Sequence, residues 1–304
     1  MSEIAVFFTP VDLEKISDGS SYSENMFGNK LSVYSNGNDF PELEGMELAF
    51  IGVNEGRRSG NNSGCGNAAD EVRKFFYKLF AGSFNLKMTD LGNITAGHTE
   101  EDTYYALSST LDFLIRKNII PVIIGGGHDL TYAQFRGYEK LEQTINVATV
   151  DSCFDLGSPD DEFSNKSFLG RIILHQPNYL FNYSNIGYQT YLVDQSQLNM
   201  MNKLYFDAYR VGQVRTDITE MEPVIRSADM MTCDISAIKQ SDAPGSVNPS
   251  PNGFTGEETC QAMMYAGLND RLTSLGIYEY DHESDNNDQT AHLIAQMIWY
   301  FIEG

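Results

Sequence analysis

The chain has 304 residues, 41% of them hydrophobic, enough to bury a sizeable core. Its 20 Lys and Arg against 42 Asp and Glu leave a formal charge of −22, which repels phosphate backbones and argues against a nucleic-acid partner. No stretch reaches the roughly 18 uninterrupted apolar residues of a membrane span, MSEIAVFFTPVDLEK lacks a basic start and a long apolar run, and the four cysteines form no CxxC pair, so a cytoplasmic protein without a membrane partner is expected.

In chain order, Gly-, Ser- and Asn-rich segments at Ser17–Asn38 and Arg57–Asn67 read as long surface loops of the kind that line sites. Ala68–Phe80 places Val72, Phe75, Phe76 and Leu79 on one stripe and predicts a helix. Thr99–Lys117 predicts a second, with Thr99 as N-cap, acids in the first turn, and Leu107, Leu111 and Leu114 facing inward. The apolar runs Ile119–Leu130 and Asn146–Leu156 then predict strands covered on both faces, as do Asp229–Ser236 and Thr273–Asp281. Thr255 with Glu258 three residues on is the spacing of a capping box. Asp288–Ile302 carries Ile294, Met297, Ile298 and Phe301 on one helical face. Strand and helix alternate without an internal repeat or a linker. That pattern predicts one domain over residues 1–304, a three-layer α/β/α sandwich with a mostly parallel central sheet.

Ligands of such sheets gather at the carboxyl ends of the strands. His128, Asp151, Asp155, Asp234 and Glu279 all fall there, after four separate predicted strands. Singly, each has a plain structural reading: His128 capping a helix, Asp151 or Asp234 as an N-cap, Glu279 solvated. Together, one imidazole and several carboxylates suit a hard or borderline divalent ion such as Mn²⁺. His98, His175, His282 and His292 have no motif context, and structural roles are expected for them. Cys65, Cys233 and Cys260 read as small buried or loop residues. The glycines of GGGH would also allow backbone to approach a phosphate, but no GxGxxG or GKS/T accompanies them.

The order GGGHD, DSCFD, CDIS and a late EYD resembles the ureohydrolase family of arginase, agmatinase and formimidoylglutamase, whose members carry GG(D/G)H, DAHxD, DxDxxDP and a late glutamate. The resemblance runs from about Gly52 to the C-terminus. The glycine-rich stretch leading into GNAADEVRKFFYKL is part of it, and SNKSF (Ser164–Phe168) and the closing helix are closest to the formimidoylglutamase branch. Two Mn²⁺ ions about a shared hydroxide are what the resemblance implies. His128 and Asp155 would then be private ligands of one ion, with Asp151 and Asp234 as bridges. The private ligands of the other ion fall on Cys153 and Ser236, and the closing DP is altered near Ser241–Pro244. A thiol is a poor Mn²⁺ ligand and favours Zn²⁺ instead; a serine hydroxyl brings no charge. At most one ion is therefore expected. Glu279 matches the family glutamate that holds a guanidinium or similar cation. The proton-shuttle histidine of arginase has no counterpart between Gly157 and Phe168, an absence shared with the formimidoylglutamase branch.

Two functions follow from the resemblance. One is a hydrolase of a C–N bond in a guanidino or formimino compound, with Asp151, Asp234 and Glu279 as catalytic residues and a small-molecule partner. The other is a catalytically silent member of the fold serving as a binding or regulatory subunit. A nucleotide-binding protein using Gly125–Gly127 is a third, more distant reading. The resemblance also implies a homo-oligomer, a trimer or hexamer.

Overall fold

The computed structural model describes residues 3–304 except 18, 20, 84, 159 and 160, so part of the first predicted loop lies outside the described residues. Its strands are β1 (Phe8–Thr9), β2 (Ser32–Val33), β3 (Leu48–Asn54), β4 (Met88–Thr95), β5 (Ile120–Ile124), β6 (Ile145–Val150), β7 (Leu180–Tyr188), β8 (Asp207–Arg210), β9 (Met230–Asp234) and β10 (Ser274–Tyr278). They form one sheet in the order β1-β4-β3-β5-β10-β9-β6-β7-β8, with β2 also on β4. The β1–β4 pair is antiparallel and the other strand pairs are parallel.

Helices cover both faces, as the alternation predicts. On one side Ala68–Phe76, Gly256–Gly267 and Gln289–Glu303 share a core with the sheet through Val72, Phe76, Met263, Ile294, Met297 and Ile298. On the other, Glu100–Arg116 buries Leu107, Leu111 and Leu114, and Leu130–Arg136 and Phe168–Leu174 bury Phe135, Phe168 and Ile172. Both predicted caps are present. The hydroxyls of Thr99 and Thr255 accept from the N–H of Asp102 and Glu258, whose carboxylates return to the capping N–H groups. Among the described residues, no helix is long and apolar enough to cross a membrane.

Several elements differ from the sequence reading. The first long helix ends at Phe76 rather than Phe80. Tyr77 turns inward to donate its hydroxyl to Asp90 Oδ2 at 2.8 Å, while Phe80 is 61% exposed. The Ser17–Asn38 segment is not a plain surface loop, because Phe27 is fully buried and Ser32–Val33 joins the sheet. Strands β4 and β7 escape composition because they carry Asp90, Asn93, Ser184 and Asn185. The polar group of Asp90 is satisfied by a fully buried arginine: Arg73 Nε and Nη2 each donate to its carboxylate at 2.8 Å, and Arg73 Nη1 reaches Asn93.

Candidate metal centre

Chain order and sheet order differ, and the difference builds the site. β5, β10, β9 and β6 are consecutive neighbours at the middle of the sheet. Their carboxyl ends therefore place His128, Glu279, Asp234, and Asp151 with Asp155, around one spot. His128 Nδ1 lies 3.4 Å from an Oδ2 of each of Asp151, Asp155 and Asp234. The three aspartates and the histidine form a cluster whose ligand atoms lie within 4.8 Å of one another. All four residues are buried. His128 Nε2 is 3.5 Å from Thr232 Oγ1, and a neutral imidazole with its proton on that side would turn an Nδ1 lone pair toward the carboxylates.

An ion fits these residues. Each of the four converging atoms, His128 Nδ1 and the Oδ2 atoms of Asp151, Asp155 and Asp234, is buried without a hydrogen-bond partner. Buried polar atoms are rarely left so, and one nitrogen with three carboxylate oxygens is the donor set of a hard or borderline divalent cation. With no ion between them the groups perturb one another. Burial and the neighbouring Asp155 and Asp234 push the Asp151 carboxyl up. Burial opposes the charge of Asp234, but His128 and Lys166 outweigh it and hold that carboxyl down. Burial likewise opposes an imidazolium at His128, and the three aspartates outweigh it in turn.

The plain structural readings of two aspartates are true as well. Asp151 Oδ1 accepts the N–H of Cys153 at 3.0 Å, and Asp234 Oδ1 accepts that of Ser236 at 2.7 Å, capping the turn Ile235–Ala237. One oxygen of each carboxylate caps and the other faces the cluster. Cys153 does not join it. Its Sγ makes its polar contacts with Ser152 Oγ (3.8 Å) and the Leu192 carbonyl (3.9 Å). Burial and the nearby Asp151 and Asp155 push that thiol up to about 12, so it stays protonated.

Glu279 is 6% exposed and not solvated. Its Oε1 accepts the His128 N–H (2.7 Å) and Asn165 Nδ2 (3.1 Å), and its Oε2 accepts Asn62 Nδ2 (2.8 Å). Burial, then the charge of Asp234, raises its pKa. Glu279 and Asp155 both hold left-handed backbone, with φ of 65° and 49°. Such strain on non-glycine residues clusters at functional sites. The GGGH glycines serve the turn itself. Gly126 has φ +82°, its carbonyl accepts the Glu279 N–H, and a Cβ there would sit 2.9 Å from the Glu55 carbonyl.

Three neighbours were not singled out as site residues. Asn62 comes from the glycine-rich segment predicted to line a site, but it is buried rather than on the surface. Asn165 and Lys166 come from SNKSF. Lys166 is exposed along its side chain (47%) but brings its ammonium down onto the centre, with Nζ 3.5 Å from Asp155 Oδ1 and 3.8 Å from Asp234 Oδ2. Burial works against its charge, yet Asp155, Asp234 and Asp151 keep its pKa well above the ordinary lysine value. Asparagine and lysine in a loop carry no signal of their own; only their place next to Phe168, whose ring centroid lies 4.4 Å from that of His128, brings them in. The other histidines have structural partners: His175 is held by Tyr132 and Glu139, His282 by the Gly64 carbonyl, and the His292 ring packs tilted against Phe75, while the His98 carbonyl accepts from Arg57.

Comparison with known proteins places the chain among proteins of related sequence and fold. Formimidoylglutamase from Staphylococcus haemolyticus is 26% identical over 283 residues, covering 86% of this chain and 90% of that protein. The Hahella chejuensis formimidoylglutamase is 25% identical over 264 residues, with 81% and 79% covered. Among solved structures, Bacillus subtilis formimidoylglutamase superposes with a TM-score of 0.82 at 19% identity, covering 94% of each chain. Trypanosoma cruzi formiminoglutamase with Mn²⁺ gives 0.78 at 18% identity, covering 86% of this chain and 95% of that one. These structural likenesses establish the shared fold. The Arginase family model matches residues 46–303, and the chain belongs to the arginase family.

Proposed function

We propose that this protein hydrolyses a C–N bond in a formimino or guanidino compound, a non-peptide linear amidine, using a single divalent cation, Mn²⁺, held by His128, Asp151, Asp155 and Asp234. The observation that carries the reading is the convergence of four buried, unpartnered ligand atoms from three strand ends. When bound, such an ion supplies Lewis acidity and makes water a usable nucleophile near neutral pH. Water adds to the amidine carbon, the bond from that carbon to the substituted nitrogen breaks, and that nitrogen takes up a proton and leaves as an amine, giving formamide from a formimino compound or urea from a guanidino one. Asp151 and Asp234 serve the reaction as ligands that would hold the ion, each with its other oxygen fixed by a backbone N–H. Glu279, fixed by Asn62, Asn165 and the His128 N–H, offers a buried negative charge to a cationic amidinium. Support for the formimino class comes from the formimidoylglutamase relatives.

The test is metal content after loading with Mn²⁺, Zn²⁺, Co²⁺ or Ni²⁺, combined with assays for formamide or urea from formiminoglutamate, agmatine and arginine. Protein that takes up no metal and releases no product sinks the proposal. A metal-loaded protein that is silent until Cys153→His with Ser236→Asp is introduced would favour a non-catalytic role instead.

A further inference from the structure

Each of the six carboxylate oxygens of Asp151, Asp155 and Asp234 has a distinct task. Three Oδ2 atoms face His128 Nδ1. Two of the Oδ1 atoms, on Asp151 and Asp234, accept the N–H groups of Cys153 and Ser236. The last, Asp155 Oδ1, faces Lys166 Nζ at 3.5 Å, and that ammonium also lies 3.8 Å from Asp234 Oδ2. Every carboxylate oxygen of the three thus already faces a backbone N–H, the ammonium or the His128 side, and the Cys153 thiol is turned toward Ser152 and Leu192.

We propose that the Lys166 ammonium is the resident second cation of this centre, so that the site takes one divalent ion rather than two. This rests on the metal reading above. The charges agree: three aspartates are neutralised by one divalent ion and one ammonium together, whereas a second divalent ion beside the ammonium would leave two positive charges in excess of the aspartates. Glu279, held by amide N–H donors and no cation, then offers a negative charge beside the centre, which suits a substrate that arrives as a cation. A cation held this close to the ion also repels it, and the lysine thereby limits how tightly the metal binds.

Mn²⁺ titration by calorimetry, with metal analysis of the loaded protein, tests the assignment without any assay of activity. Wild type is expected to bind one Mn²⁺ per chain. Lys166→Met is expected to bind one Mn²⁺ at least about tenfold more tightly, about 1.4 kcal/mol, and to melt lower than wild type when metal-free, because the aspartates lose their counter-cation. Lys166→Arg, which keeps the charge, should restore wild-type affinity and melting. Lys203→Met, an exposed lysine on the helix Gln195–Lys203, removes the same charge elsewhere and should change neither. Two ions per wild-type chain, or equal affinity in wild type and Lys166→Met, would overturn the assignment while leaving intact the reading of a metal-dependent hydrolase, apart from its single ion. No Mn²⁺ bound by either protein would overturn the metal reading and this assignment together.

Discussion

Replacing Asp155 by Asn should abolish most of the stabilisation that a metal gives this protein, at little cost to the metal-free fold. Asp155 Oδ2 is one of the four unpartnered atoms, so the substitution removes a charged ligand while keeping its volume. An ion that binds only the native state stabilises by about 4.1 kcal/mol when present at a thousand times its Kd. A 304-residue chain unfolding as one unit has an entropy of unfolding of about 0.6 kcal/mol/K near 60 °C, so the wild-type Tm should rise by about 6 °C. For Asp155→Asn, loss of one carboxylate should weaken Mn²⁺ binding by at least a hundredfold and shrink the rise to about 2 °C at the same metal concentration. Without metal the variant should melt within about 2 °C of wild type, because it removes one of three mutually repelling buried carboxylates. Differential scanning calorimetry with Mn²⁺ and with a chelator reads both numbers. A full metal-induced rise in Asp155→Asn would show that the cluster is not where the ion binds, and the reasoning would fail.

Other substitutions separate the scaffold from the site. Arg73→Met strands the fully buried Asp90 carboxylate and should cost about 3–5 kcal/mol, seen as a Tm lower by about 5–8 °C with the metal-induced rise unchanged. Asn62→Ala removes one of three donors that fix Glu279. It should cost about 1–3 kcal/mol in stability and, in an amidine assay, raise KM more than it lowers kcat, whereas an equal loss in both would assign Glu279 to the chemical step. Thr255→Ala opens the capping box at the start of Gly256–Gly267 and should cost about 1 kcal/mol by urea unfolding, with no effect on Mn²⁺ affinity.

The sequence alone determined local features: four of the strands buried on both faces, where Thr99 and Thr255 start helices, and which side chains stand at those strand ends. Those depend on periodicity and on contacts three or four residues apart, which the order of residues states directly. It also carried the family, because GGGHD, DSCFD, CDIS and EYD keep their order along the chain. Strand β4 stayed hidden because the partner that makes Asp90 tolerable is Arg73, on a helix 17 residues away. Only the tertiary structure decided that β5, β10, β9 and β6 are neighbours, since strand order depends on which way each crossover packs. It also decided that one oxygen of Asp151 and of Asp234 caps a turn while the other faces His128, and that Cys153 turns away. Glu279 is clamped by Asn62 and Asn165, and Lys166 reaches Asp155 from a loop 11 residues along the chain. Metal ligands are legible because few residue types can serve. The asparagines and the lysine around them are ordinary residues, and only distance in three dimensions makes them part of the site.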